Sequence, residues 1–559
     1  LLSLFCAGHA APQCKAMPGT ADWPSDAEWA GLNTAVGGKL LKPNAPAAGC
    51  HRGQPGYSTD ACTDIKDGWK DSAWHAKHPT SGMWQNYNNY SCMPDASASC
   101  STAGYPIYVV EARNPQDVQA AVNFARTRNV RLNIKSTGHD FLGRSTQPNS
   151  LSIWTHQLKS IKWHETTFTP KGCRSVINGP AATVGAGAKW GDVYSSARGK
   201  DYGVVGGAFN SVSLGGYLQN GGHGALSAKY GLGADMVLEI ELVTAAGEII
   251  TANECQNTEY FWAMRGGGGS TYGVATAFTI QALPKQTSAR FNGKLEGWDQ
   301  IVHMHRSWPA LARVGGSGYI RGYPGRSGEA TWSVSVPNMT ANALRAIVDP
   351  IPRRPAPGVA TGRYVQFESL AEAIEASNAP AEAETANAVQ AGFPGMGGSK
   401  IMASWLWSAA DVAQPELAQA IRGAFGTDTY MLTDATMGVG TWNPPFMRGG
   451  GNAVNPAFRT AVMRPAAEVQ WEGADQRELA RRKEEAARYG LSLRRLAPEA
   501  GTYANEADPD APGWQWAFWG ANYDKLWDIK HSVDPTGVFW CRACVGSESW
   551  VEVEGLLCR

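Results

Sequence analysis

The chain reads as an α+β protein, and three observations carry that reading. Between Tyr105 and Asp140 an apolar strand, a one-faced helix and a second strand follow one another, which is a βαβ unit. Further strands are legible at 181–188, 235–250 and 274–280, with glycine-dense stretches among them. From about residue 285 the composition shifts, marking a second domain.

Taken in order, "LLSLFCAGHA" at 1–10 is apolar and then small, so it is expected to be the remnant of a secretory signal cleaved after Ala10. Residues 11–100 are rich in Cys, Trp, Pro and Gly with little periodicity, and read as a disulfide-stapled extension wrapped on something larger. The first strand is expected at 107–110. Asn114 then caps a helix with Pro115 at its first position, and Val118, Ala121, Val122 and Ala125 form its buried face. A strand at 130–134 follows. The 235–250 segment alternates before a turn at Ala246-Gly247. In the second domain, 375–400 looks irregular, and a helix at 476–489 has Asp475 as cap, Glu478 three residues on and Gly490 as terminator.

Composition narrows the function. At 559 residues the chain holds two or three domains, and 49 basic against 49 acidic residues give no net field for nucleic acid or an anionic membrane. No internal apolar run approaches the roughly 20 residues that span a bilayer. Of the 11 cysteines, Cys6 would leave with the signal, and the even remainder suits disulfides in an oxidising compartment, with the pairing left open. "CRAC" at 541–544 has no second such pair and no histidine cluster, so a structural disulfide is expected there and no metal. Asn89 and Asn338 head glycosylation sequons, which fits secretion.

The chemistry lies in three glycine-containing stretches. After the 130–134 strand, Ser136-Thr137-Gly138-His139-Asp140 lets successive backbone N–H groups converge as an anion nest suited to a pyrophosphate. "GGAFNSVSLGGYLQNGGHGALSAKYGLGAD" (206–235) and "WAMRGGGGSTYGVATAFTI" (262–280) allow a backbone to approach a flat or charged object closely. None matches the dinucleotide fingerprint or the phosphate loop. A different cofactor cradle is implied.

Together "IKSTGHD", "LGGYLQNGGHGALSAKYGLGAD" and "FWAMRGGGGSTYGVATAFTI" resemble the vanillyl-alcohol-oxidase-type (PCMH) FAD family, in its berberine-bridge-enzyme-like branch. The C-terminal "ANYDKLWDIKHSVDPTGVFWCRACVGSESW" is similar to the secreted fungal oxidases of that branch. The resemblance runs over roughly 100–285 and resumes over roughly 490–559; the middle matches loosely. It implies a two-part FAD-binding domain (101–285 with 491–559) and an inserted substrate domain (286–490) whose antiparallel sheet is covered by helices.

The resemblance also implies roles. His139 would be bonded through a ring nitrogen to the flavin 8α-methyl carbon. Relatives often carry a second, cysteinyl attachment where this chain has Phe209, so a single tether is expected. FAD contacts would come from Lys135, Ser136, Thr137, Gly138, His139, Asp140 and Ser145, from Phe209, Ser213, Gly215, Gly216, Asn220, Gly221, Gly222 and Gly224, from Gly273 and Val274, and from Asn522. His223 would orient a substrate hydroxyl or take its proton, or else serve as a hydrogen-bonding residue in a glycine turn. Tyr503, in a Tyr-x-Asn element, would assist deprotonation if its pKa were lowered. The implied function is a secreted, monomeric FAD-dependent oxidase that takes hydride from an alcohol, amine or sugar and reduces dioxygen to hydrogen peroxide. A dehydrogenase with another acceptor, or a flavin-holding protein without turnover, are the alternatives.

Overall fold

The strand Tyr108–Glu111, the helix Pro115–Thr127 and the strand Arg131–Lys135 occupy the expected βαβ stretch of a computed structural model that describes residues 14–351, 362–378, 396–426, 429–553 and 555–559. The signal-like segment 1–10 and most of the irregular stretch 375–400 lie outside the described residues. Asn114 accepts the Asp117 N–H at 2.9 Å, and Pro115 sits where the first turn needs no N–H. Val118, Ala121, Val122 and Ala125 are buried, as their spacing requires. The two strands are parallel but not neighbours. Ser150–Trp154, absent from the sequence reading, pairs in parallel with both and lies between them, while Leu40–Leu41 closes one edge antiparallel. Its serines hid it: Ser150 and Ser152 are buried, and the Ser150 hydroxyl donates to the Gln147 carbonyl at 2.7 Å.

A second, five-stranded antiparallel sheet has the order Ile249–Asn253, Val237–Thr244, Gly273–Gln281, Ala181–Gly185, Ile161–His164. Its first two strands form the hairpin expected around Ala246-Gly247; Gly247 has φ +80°, and its N–H donates to the Thr244 carbonyl at 2.9 Å. The third sheet is eight-stranded and antiparallel, with Gly362–Phe367 at one edge and Ser399–Ser404 at the other. Helices Gly297–Arg313 and Gln476–Arg494 pack on its strands. This is the expected α+β architecture, with a helix-covered antiparallel sheet.

Two local expectations need correction. The helix at 476 does not stop at Gly490 but continues to Arg494, because Leu493 is buried and its carbonyl accepts the Trp407 indole N–H at 3.1 Å. Gly490 lies within the helix, where a Cβ would meet the Ala403 methyl at an ordinary 3.5 Å. Glu478 forms no capping box; it binds Arg481 and Arg482, and Asp475 alone caps by accepting the Arg477 N–H.

The ten described cysteines form the disulfides 14–558, 50–62, 92–100, 173–255 and 541–544. Cys14–Cys558 staples the two ends of the chain together, and Lys15 N–H donates to the Leu557 carbonyl beside it at 2.8 Å. The C-terminal segment returns to the first sheet through an Arg131–Glu552 ion pair and a Gln147 bond to the Trp540 carbonyl.

Candidate active site and cofactor cradle

The strand Arg131–Lys135 delivers the 136–140 turn to the wall of a long cavity shared by all three sheets. Gly138 has φ +84°, and a Cβ there would press on the Ser81 carbonyl at 3.0 Å. The backbone N–H groups of Thr137 and Gly138 donate no hydrogen bond among the described residues, and both residues line the cavity. The Ser136 hydroxyl and the side-chain amide of Asn220 are likewise buried without a hydrogen-bond partner there. Such groups are costly unless something polar binds them.

His139 lines this wall, with its Nε2 2.8 Å from the Ser211 hydroxyl. Burial, then the nearby His75 and Lys135, push its pKa down to about 3, so the ring is neutral. Asp140 is engaged by Arg144, whose guanidinium also donates to the Asn505 side-chain oxygen at 2.8 Å. The turn is thereby tied to the Tyr-x-Asn element from the far end of the chain, since Asn505 donates to the Tyr503 hydroxyl at 2.7 Å.

The second stretch contributes the helix Leu214–Gln219, begun at Ser213, and the third wraps it: Gly266 and Gly268 N–H both donate to the Gln219 carbonyl at 3.0 Å. Ser136, Thr137, Gly138, His139, Asp140, Ser145, Phe209, Ser213, Gly215, Gly216, Asn220, Gly273 and Val274 all line the cavity, together with His223 and Tyr503. Five expected contacts do not. Lys135 is fully buried, its ammonium on the His75 and Ser136 carbonyls, so it cannot serve a phosphate. Gly221, Gly222 and Gly224 are structural: a Cβ at Gly222 or Gly224 would overlap the Tyr217 ring or the Gly206 carbonyl. The Asn522 amide donates to the Val454 carbonyl at 2.8 Å, away from the cavity.

At the other end of the cavity stands a charged cluster that the sequence reading passed over. His223 Nε2 is 3.6 Å from Glu506 and 3.7 Å from Asp434, and Arg464 is bonded to both carboxylates. One atom each from His223, Asp434 and Glu506 lie within 4.8 Å of one another, a metal-like grouping, yet the Arg464 guanidinium already supplies the positive charge between the acids. Burial opposes the charge on Glu506, but Arg464 and His223 more than offset it and hold its pKa at about 2. Asp434 is pushed up by burial despite the same guanidinium. Tyr503 stacks edge-on against His223 at 5.2 Å, and burial, then Glu506, raise its phenol well above the ordinary value. The condition for it to act as a base is therefore not met. Glu506 directly follows the Tyr-x-Asn element, and Arg464, Glu468 and Gln470 are polar residues of one parity in an otherwise apolar strand; both signals were present in the sequence.

Comparison with known proteins decides the family. A family model described as "FAD binding domain" matches residues 106–253, and one described as "Berberine and berberine like" matches 502–546. An FAD-linked oxidoreductase of Aspergillus clavatus, patO, is 31% identical over 99% of this chain and 95% of its own. The VAO-type flavoprotein oxidase VAO615 of Thermothelomyces thermophilus is 32% identical over 98% and 96%. The chain belongs to the FAD-linked oxidoreductases of the VAO and berberine-bridge type. The solved VAO-type flavoprotein MtVAO615 from Myceliophthora thermophila superposes with a TM-score of 0.87 at 30% identity, covering 98% of this chain and all of that one. The cradle of this oxidoreductase suits FAD: unbonded amides for a pyrophosphate, unpartnered Ser136 and Asn220 groups for polar edges, and glycine walls for a flat ring.

Proposed function

We propose that the enzyme is a secreted, monomeric oxidase that holds FAD by one covalent bond at His139 and oxidises an alcohol, amine or sugar carbon with release of hydrogen peroxide. The supporting observation is the placement of His139, a neutral imidazole on the wall of the cavity that the Thr137-Gly138 turn and the His223 cluster also line. A neutral ring nitrogen is nucleophilic and a protonated one is not. Phe209 lines the same cavity where relatives attach a second time, and carries no thiol. Five disulfides and the exposed Asn89 and Asn338 support an extracellular setting.

Bound FAD would accept the hydride and pass the electrons to dioxygen. His223 Nε2 is placed to take a substrate hydroxyl proton, with ionised Glu506 stabilising the imidazolium that results. Arg464 keeps Glu506 charged through the cycle. Tyr503 retains its proton; its oxygen accepts from Asn505, which leaves the O–H free to orient a substrate oxygen.

Mass spectrometry of the tryptic peptide containing His139 tests the tether, and a peroxide-coupled screen tests the chemistry. The expected results are an FAD mass on that peptide, lost in His139→Ala, and peroxide formed with an alcohol. A peptide without added mass would refute the covalent bond, and substrate-reduced flavin that stays reduced in air would refute the oxidase.

A further inference from the structure

The cavity continues past Tyr319 into a second one of about 70 Å³, and Arg321 lines both. Arg321 is 8% exposed, yet its side chain makes no hydrogen bond and no ion pair among the described residues, and its Nε is buried without a partner. It stacks over the Tyr319 ring at 4.0 Å. The second cavity also presents Arg290, whose Nε and Nη2 donate to Ser335 and the Ala373 carbonyl, and several hydroxyl side chains; no Asp or Glu is among the described residues lining it. Buried cations are normally paired. A chamber with two guanidiniums and no acid is built for an anion.

We propose that Arg321 binds a carboxylate carried by the substrate, with the anionic arm directed into this second chamber; this rests on the reading of the main cavity as the oxidation site. The planar guanidinium fork, already oriented by stacking on Tyr319, matches two carboxylate oxygens. The strand register puts both groups on one face: Tyr319 pairs with Asp434, beside His223, and Arg321 lies two residues further along, its Cα roughly 7 Å from that of Tyr319. A substrate that carries its carbinol and its carboxylate at opposite ends of one aromatic ring can face both residues. The competing role for Arg321 is to balance Asp434, whose charge it favours from a distance.

Isothermal calorimetry of the holoenzyme with 4-(hydroxymethyl)benzoate and with its uncharged amide tests the assignment. The acid should bind about tenfold or more tightly than the amide. Arg321→Met should abolish that preference while leaving the FAD mass on the His139 peptide, and Arg321→Lys should keep part of it. An amide that binds as well as the acid, a preference that survives in Arg321→Met, or an equal loss of both ligands in that variant would overturn the proposal, the last assigning Arg321 to charge balance. Calorimetry reads binding whether or not turnover occurs, so a preference for the acid in an enzyme whose substrate-reduced flavin stays reduced in air would overturn the oxidase reading and leave this one standing.

Discussion

At Glu506 desolvation and ion pairing act in opposite directions, and Arg464 decides the outcome. Its folded pKa of about 2 lies below the value of about 4.3 expected in an unfolded chain, so its stabilising contribution is complete above that range and is lost as pH falls from roughly 4.3 to 2. Glu506→Gln should therefore lower the melting temperature at pH 6 and approach wild type only as the pH falls to about 2, as thermal scans across pH would show; a constant offset would contradict the assigned pairing. The same variant should lower kcat about 10²-fold with the FAD content of the protein unchanged, because Glu506 acts on the His223 proton and not on the cradle. Tyr503→Phe should raise KM more than it lowers kcat, since its O–H orients and does not abstract. Trp405, Trp407 and Trp442 line neither described cavity and spend their indole N–H groups on the Ala497, Leu493 and Ala461 carbonyls.

Among the elements, the 221–224 turn shows how a glycine motif can be essential without touching the ligand. Gly222 has φ +74°, and a Cβ there would run into Tyr217, which lines the cavity. Gly222→Ala should destabilise the protein by about 1–3 kcal/mol and lower the fraction of chains that acquire FAD, measured as the flavin-to-protein absorbance ratio. A variant with full flavin content and unchanged melting temperature would contradict the packing argument. The start and the buried face of the helix Pro115–Thr127 were legible because its cap, its N-terminal proline and its apolar spacing all lie within a short window. The end of Gln476–Arg494 was not, since packing against Trp407 overrode a local glycine signal.

For the whole molecule, the Cys14–Cys558 bond closes the chain into a ring beside the first sheet. Replacing both cysteines by serine should cost about 2–5 kcal/mol, seen as a lower denaturation midpoint, and should leave the cavity chemistry intact because neither residue approaches it. Acid lability is a second molecular property. Burial, first of all, pushes His75 to about 4 and His156 to about 3, while the unfolded chain would titrate them near 6.5. The unfolded state then takes up protons first, so stability should fall steadily as pH drops from about 6.5 toward 3. A melting temperature flat between pH 7 and 4 would refute this.

What the sequence determined alone is whatever rests on short-range chemistry: the βαβ start, the three glycine stretches, the even set of cysteines, and His139 in a small-residue turn after a strand. Such features are set by backbone sterics and local hydrogen bonding within a few residues. Tertiary structure alone decided which cysteines pair, that Ser150–Trp154 inserts between the two predicted strands, and that Asp434, Arg464 and Glu506 converge on His223. It also placed Arg321 where the main cavity meets a second chamber that has no acid among its described lining residues. Charges from strands and loops far apart in the chain meet only after the sheets have packed, and their burial is what gives them their chemistry.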